Sequence, residues 1–423
     1  MTAQTISEKI LSAHAGKAAR AGDIVICDVD LVIGTDASTP MAIGYFERMG
    51  GTRLFDPSRV VFALDHYAPP TSPRTVAFHE RIRDFARRHG AELYDVGEGI
   101  SHQIVMERGR VLPGDLVIGA DSHTVTCGAL NLFATGVGSS DLAAAMITGQ
   151  IWLRVPETIL VELTGTPPPG VAAKDIALAL VAELGAEGAN YRALEFDGPA
   201  LAGLTTEDRM VFSNLAVEMG AKAAVFPTDD ATLEYLRPRT TRTIAPVRAD
   251  PGAHYERETV LDLSARRAVV ALPHAPDNVT ALEKATGTPV HMVFLGTCTG
   301  GRVSDFHQAL AVVEKAGGRI APGVQLVVTP ASREVEERLL QDGTLRKLAA
   351  MGAIVTTPGC GACCGTSGVI PTDGMNVLST ANRNFKARMG NATAAIYLAS
   401  PAACAAAAVT GRITDPSVVA ADA

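Results

Sequence analysis

The sequence predicts an α/β protein with largely parallel sheets, divided into more than one domain. Three observations predict it. Short β-branched runs recur along the chain, each followed by a turn and then a stretch with helical spacing. Polar clusters stand directly after these runs, where the carboxyl ends of parallel strands would place a ligand site. The length, 423 residues with 47% hydrophobic content, exceeds what one ordinary core accommodates, so two to four domains are expected.

In chain order, the opening TISEKILSAHAG reads as a first helix. Thr5 and Glu8 have capping-box spacing and Gly16 fits a C-terminal stop. The strand runs are DIVICDVDLVIG (23–34), RVVFALDHY (59–67), GDLVIGADSH (114–123), HMVFLGTCTGG (291–301), VQLVVT (324–329), AIVTTPGCG (353–361) and AIYLASP (395–401). Between them, SDFHQALAVVEKAGG carries helical spacing. A proline-rich joint, TGTPPPG, spans 164–170, and the stretch 250–278 is irregular and polar. Domain edges near 155 and 276 give units of 1–154, 155–275 and 276–423. No internal repeat is evident.

Composition narrows the function. Charged residues make up 19% of the chain and the net charge is −8, with no Lys/Arg block. Nucleic acid is therefore a poor partner, and a site for an acidic metabolite must supply its own arginine. No segment approaches the ~20 unbroken apolar residues of a membrane helix. The N-terminus lacks a hydrophobic signal core. The expectation is a cytoplasmic protein without membrane contact.

The seven cysteines are an odd number, and Cys360, Cys363 and Cys364 crowd together. Such a pattern favours metal or redox chemistry over disulfides. GTCTGG sets Cys298 in a glycine-flanked loop, and PGCGACCG sets Cys360 and Cys363 in a second, as C-x-x-C. Glycines let backbone approach an inorganic centre closely, and thiolates are the usual ligands of iron–sulfur clusters. From the residues alone, an iron–sulfur cluster, half a zinc site, a redox dithiol and inert buried thiols all stay open. Three thiolates on a four-iron cluster would leave one iron free to act as a Lewis acid.

Six stretches, in order, carry a family resemblance: LDH (64–66), GISHQ (99–103), GADSHT (119–124), GTCTGG (296–301), PGCGACCG (358–365) and STANRNFKARMG (379–390). Together they resemble the aconitase superfamily, in particular the large subunit of its isopropylmalate isomerase and homoaconitase branch, over nearly the whole chain. The resemblance implies three α/β domains around a shared cleft that contains a cluster. It implies a [4Fe–4S] cluster held by Cys298, Cys360 and Cys363. Asp65 and His66 look like the acid pair at the leaving hydroxyl. His102 and His123 look like the histidines of that pocket, with Asp121 and Ser122 in the same motif. Glu195 is similar to the family's second-domain glutamate. Asn382 resembles the asparagine beside the cluster, and Arg383 and Arg388 the arginines that grip substrate carboxylates.

These residues also have plainer readings. Asp65 and His66 could be capping or surface groups, and the arginines a solvated face. A carboxylate beside an imidazole does raise its pKa and favour an acid role, and arginine can grip a carboxylate bidentately. Cys27, Cys127, Cys364 and Cys404 are read as structural.

Departures from the family pattern are Gly300, where an asparagine is usual, and Cys364, where a leucine is usual. Thr126 favours the isopropylmalate-like branch. The fourth, swivelling domain that supplies a serine base has no counterpart among the motifs here. The resemblance therefore implies a small partner subunit of that fold. The default reaction is isomerisation of isopropylmalate in leucine biosynthesis. Homoaconitate hydration, 2,3-dimethylmalate dehydration and maleate or citraconate hydration are the alternatives within the class. An RNA-binding protein that senses cluster loss is an alternative outside it, against which the acidic balance argues.

Overall fold

The computed structural model describes residues 3–419. The first helix, Ile6–Ala15, forms with the cap its sequence encodes. Thr5 accepts from the Glu8 backbone N–H, Glu8 accepts from that of Thr5, and Gly16 closes the helix in the left-handed region at φ 63°.

Among the described residues the strands form four sheets, three of which share one winding. In the five-stranded parallel sheet, Leu31–Thr35 lies centrally. Val60–Ala63 and Glu92–Tyr94 extend to one side, and Leu116–Gly119 and Phe133–Gly136 to the other. The four-stranded parallel sheet repeats the pattern around Thr158–Thr164. The seven-stranded sheet repeats it around Met292–Gly296. Gln325–Thr329 and Ile354–Val355 lie on one side, and Asn376–Ser379 and Ala395–Leu398 on the other. Each winding reverses beside its first strand, and the crevice at such a reversal is where α/β sheets bind ligands.

Central strands such as Leu31–Thr35 and Met292–Gly296 are buried at every position. That is the burial of a sheet covered on both faces, and it explains their unbroken apolar runs.

One difference from the sequence reading has a local cause. The run 23–34 is two strands. Ile24–Asp28 alternates exposed and buried residues and pairs antiparallel with Gln150–Arg154, outside the five-stranded sheet. The short strand Val269–Ala271 pairs antiparallel with Ala395–Leu398, so the change of sheet falls between Asp262 and Val269.

Candidate functional site

The loops after these strands converge. Asp65 and His66 follow Val60–Ala63, Asp121 follows Leu116–Gly119, Cys298 follows Met292–Gly296, Cys360 follows Ile354–Val355, and Asn382 follows Asn376–Ser379. Backbone fixes the first contact between them: the Cys360 N–H donates to the Asp65 carbonyl at 2.9 Å. Gly359, at φ 150°, permits it, since a Cβ there would lie 2.9 Å from the same oxygen.

The sulfur pocket is lined by amides. Asn214 Nδ2 lies 3.0 Å and Asn382 Nδ2 3.3 Å from Cys298 Sγ. The Cys363 sulfur lies 3.6 Å from Asn382 Oδ1 and from Arg388 Nη2. Cys298 and Cys360 share a small buried group with Ile100 and Ala331. All seven cysteines are free. Burial pushes the Cys298 thiol up to about 12, with the Cys363 charge acting in the same sense. Thiolates gathered in this way are suited to a cationic centre that compensates their charge.

The donor set also bears on what that centre is. The three sulfurs do not all lie within 4.8 Å of one another. Thiolates are the usual ligands of iron–sulfur clusters. Among the described residues the trio within 4.8 Å is Asp65, His66 and Cys360.

Facing the sulfurs is the acid pair. His66 Nδ1 lies 2.7 Å from Asp65 Oδ1, and Asp65 Oδ2 accepts from the Ser101 N–H at 2.9 Å. Asp36 accepts from the backbone N–H groups of His66 and Tyr67. Burial works to lower the His66 pKa, yet Cys360 and Asp65 hold it well above the usual imidazole value. His66 Nε2 points toward Asp121, 3.5 Å away. Burial pushes the Asp121 carboxyl up, but the hydrogen bond from His123 and the charge of His66 hold it well below the carboxylate range.

His102 is fully buried with neither ring nitrogen hydrogen-bonded, and burial drives its pKa to about 3, so it is neutral. Ser122 and Asp121 border a cavity of about 480 Å³ that also touches Lys222.

Glu218 is the acidic residue that joins this group. His123 Nε2 lies 2.9 Å from its Oε1, and Arg383 Nε donates to the same carboxylate at 2.8 Å. Burial pushes its pKa up, but His123 and Arg383 bring it below the usual value.

Glu195, carried over by resemblance, lies elsewhere. It sits within the strand Ala193–Asp197, accepting from the Ile6 N–H at 3.0 Å and from the Tyr255 hydroxyl at 2.7 Å. The structure does not bring it to the others: it is held inside a strand, while the residues gathered here come from loops beyond strand ends. The other predicted residues, Asp65, His66, His102, Asp121, Ser122, His123, Cys298, Cys360, Cys363, Asn382, Arg383 and Arg388, fall in one region.

Sequence reasoning missed Asn214, Glu218 and Asp36. The signal for the first two was present: in NLAVEMG two polar residues stand four apart within apolar sequence, on one face of a helical turn. Gly300 faces Thr380, where a Cβ would lie 2.2 Å from the threonine Cβ, so this departure from the family pattern is matched by a close packing contact.

The profile of the aconitase family (aconitate hydratase) matches residues 8–411. The 3-isopropylmalate dehydratase large subunit 1 of Methanopyrus kandleri is 45% identical over 414 residues, covering 98% of this chain and 99% of its own. The large subunit of Moorella thermoacetica is 43% identical and large subunit 1 of Thermotoga maritima 44%, each over 98% of this chain and 99% of theirs. The crystal structure of Thermococcus kodakaraensis aconitase X superposes with a TM-score of 0.53 at 12% identity, covering 89% of this chain and 88% of that one, which is a likeness of fold.

Proposed function

The chain belongs to the aconitase family, and from that premise we propose that it is the large subunit of a 3-isopropylmalate dehydratase, holding a [4Fe–4S] cluster through Cys298, Cys360 and Cys363. That it is an iron–sulfur hydro-lyase with a small-subunit partner accords with its family and with relatives named as large subunits. The observation that carries the finer reading is the meeting of buried Cys298 and Cys363 and half-buried Cys360 with the Asp65–His66 pair.

When bound, such a cluster supplies a Lewis-acidic iron that polarises a substrate hydroxyl and carboxylate. The rest falls to side chains. Arg383 and Arg388 hold carboxylates, and Glu218 keeps the Arg383 guanidinium oriented. His66, held through Nδ1 by Asp65, carries the proton that goes to the departing hydroxyl. Ionised Asp121 favours that protonated imidazole. His102, held neutral by burial, lines the same pocket, as does His123. Removal of the Cα proton falls to a serine on the swivelling domain of the small subunit. Return of water to the neighbouring carbon makes the net reaction an isomerisation. No described helix is long and apolar enough to cross a membrane, and we place the enzyme in the cytoplasm.

The test is co-expression with the small subunit, anaerobic reconstitution with ferrous iron and sulfide, and turnover of 2- and 3-isopropylmalate beside homoaconitate, 2,3-dimethylmalate, maleate and citraconate. Iron and sulfide incorporation lost on Cys298→Ser, with isopropylmalate the preferred substrate, supports the reading. Incorporation with preference for another diacid overturns the substrate. No incorporation overturns the cluster.

A further inference from the structure

Lys174 lies at the start of the helix Ala173–Leu184 and is 2% exposed. Its ammonium donates to two backbone carbonyls, those of Thr380 at 2.9 Å and Ala381 at 2.7 Å. Among the described residues no carboxylate forms an ion pair with it. An ammonium removed from water without an anionic partner is costly, and a chain that keeps one has a compensating charge or a use for it.

The place of this ammonium indicates both. The Thr380 carbonyl also accepts from the Thr299 hydroxyl at 2.7 Å, next to Cys298. Ala381 is followed by Asn382, whose amide reaches Cys298 Sγ, and by Arg383. One buried nitrogen thus stands behind the loop of the first cysteine and the loop of the substrate arginine. Burial lowers the Lys174 pKa to about 8, and the groups acting against that fall are Cys298, Cys404, Asp305 and Cys363, in that order. A four-iron core of charge +2 on three thiolates keeps one net negative charge, the partner this ammonium lacks.

We infer that Lys174 is a positioning residue for the site: its buried ammonium anchors the loop that carries Asn382 and Arg383 and balances the negative charge that Cys298, Cys360 and Cys363 bring to the cluster. The inference rests on the cluster reading above. It makes a prediction of opposite sign for the two forms of the protein. Without a cluster, the cation has no carboxylate in ion-pair contact, only the more distant Asp305 and Asp175, and replacing it with an apolar side chain of similar length leaves the fold at least as stable. With a cluster, the same replacement removes positive charge beside an anionic centre, which then resists reduction.

The experiment compares full-length wild type, Lys174→Met and Lys174→Arg, each before and after anaerobic reconstitution. Thermal unfolding is read on the cluster-free chain, and the midpoint potential and iron content on the loaded one. The expected result is a cluster-free Met variant that unfolds no earlier than wild type. Its loaded form is at least tenfold harder to reduce, a fall of about 59 mV for one electron, and the Arg variant returns toward the wild-type potential. A Met variant that folds but retains no iron also supports the role. A loaded Met variant at the wild-type potential overturns the inference, as does a cluster-free Met variant that is unfolded, which would make the lysine purely structural. Wild type that takes up no cluster removes the underlying reading and this inference with it.

Discussion

The carboxylate of Glu218 lies 2.9 Å from His123 Nε2 and 2.8 Å from Arg383 Nε, so one buried anion holds both side chains at once. The two partners come from distant parts of the chain, and among the described residues neither has an equally close carboxylate besides this one. Glu218→Gln keeps the shape and removes the charge. Charge-assisted hydrogen bonds contribute ~1.5–3 kcal/mol, so kcat/KM for the diacid is expected to fall roughly 10- to 100-fold. Steady-state kinetics on the reconstituted enzyme check it, and a change under twofold would show that Arg383 does not depend on this partner.

Glu195 gives the complementary case. Its carboxylate accepts from the first free N–H of the helix Ile6–Ala15 and from Tyr255, the contacts of a structural brace at a helix N-terminus. Glu195→Gln is expected to lower the unfolding temperature while leaving kcat/KM within about twofold. If kinetics collapse and stability holds, the role carried over by resemblance is the right one.

His102 is buried with both ring nitrogens unpartnered. Each unsatisfied buried polar atom costs ~1–3 kcal/mol, so His102→Leu is expected to stabilise the cluster-free chain while turnover falls at least tenfold. Strain of this kind is retained where function needs it. Loss of stability in the Leu variant would mean that the ring is satisfied in solution.

Glu107 provides a pH test away from the sulfurs. Burial pushes its carboxyl up to about 7, against hydrogen bonds from Gln103 and Ser332. A carboxyl whose folded pKa is raised contributes stability that is complete below its ordinary value, 4.5, and is lost as pH climbs through about 7. The loss amounts to roughly 3 kcal/mol. Glu107→Gln removes this slope, so relative to wild type it should gain in unfolding temperature between pH 5 and 8. A gap that stays constant with pH would exclude a raised Glu107 pKa.

By itself, the sequence determined the elements whose information is local. The Thr5–Glu8 cap needs only four neighbouring residues. The strand runs are legible because sheets covered on both faces demand continuous apolar sequence. The glycine-flanked cysteines, the Asp65–His66 pair and the 379–390 motif announce themselves because their spacing is short and their order fixed. Tertiary structure alone decided which side chains meet. Glu195 and Glu218 are equivalent as letters in apolar surroundings. One sits inside a strand and is turned toward Tyr255, whereas the other follows the helix Thr206–Leu215 and is carried to His123. Lys174 looks like an ordinary helix lysine until the fold lays it against carbonyls more than two hundred residues away. Local hydrogen bonding and periodicity are written in adjacent residues, but a contact between distant loops depends on how three separately wound sheets pack, which no short window of sequence contains.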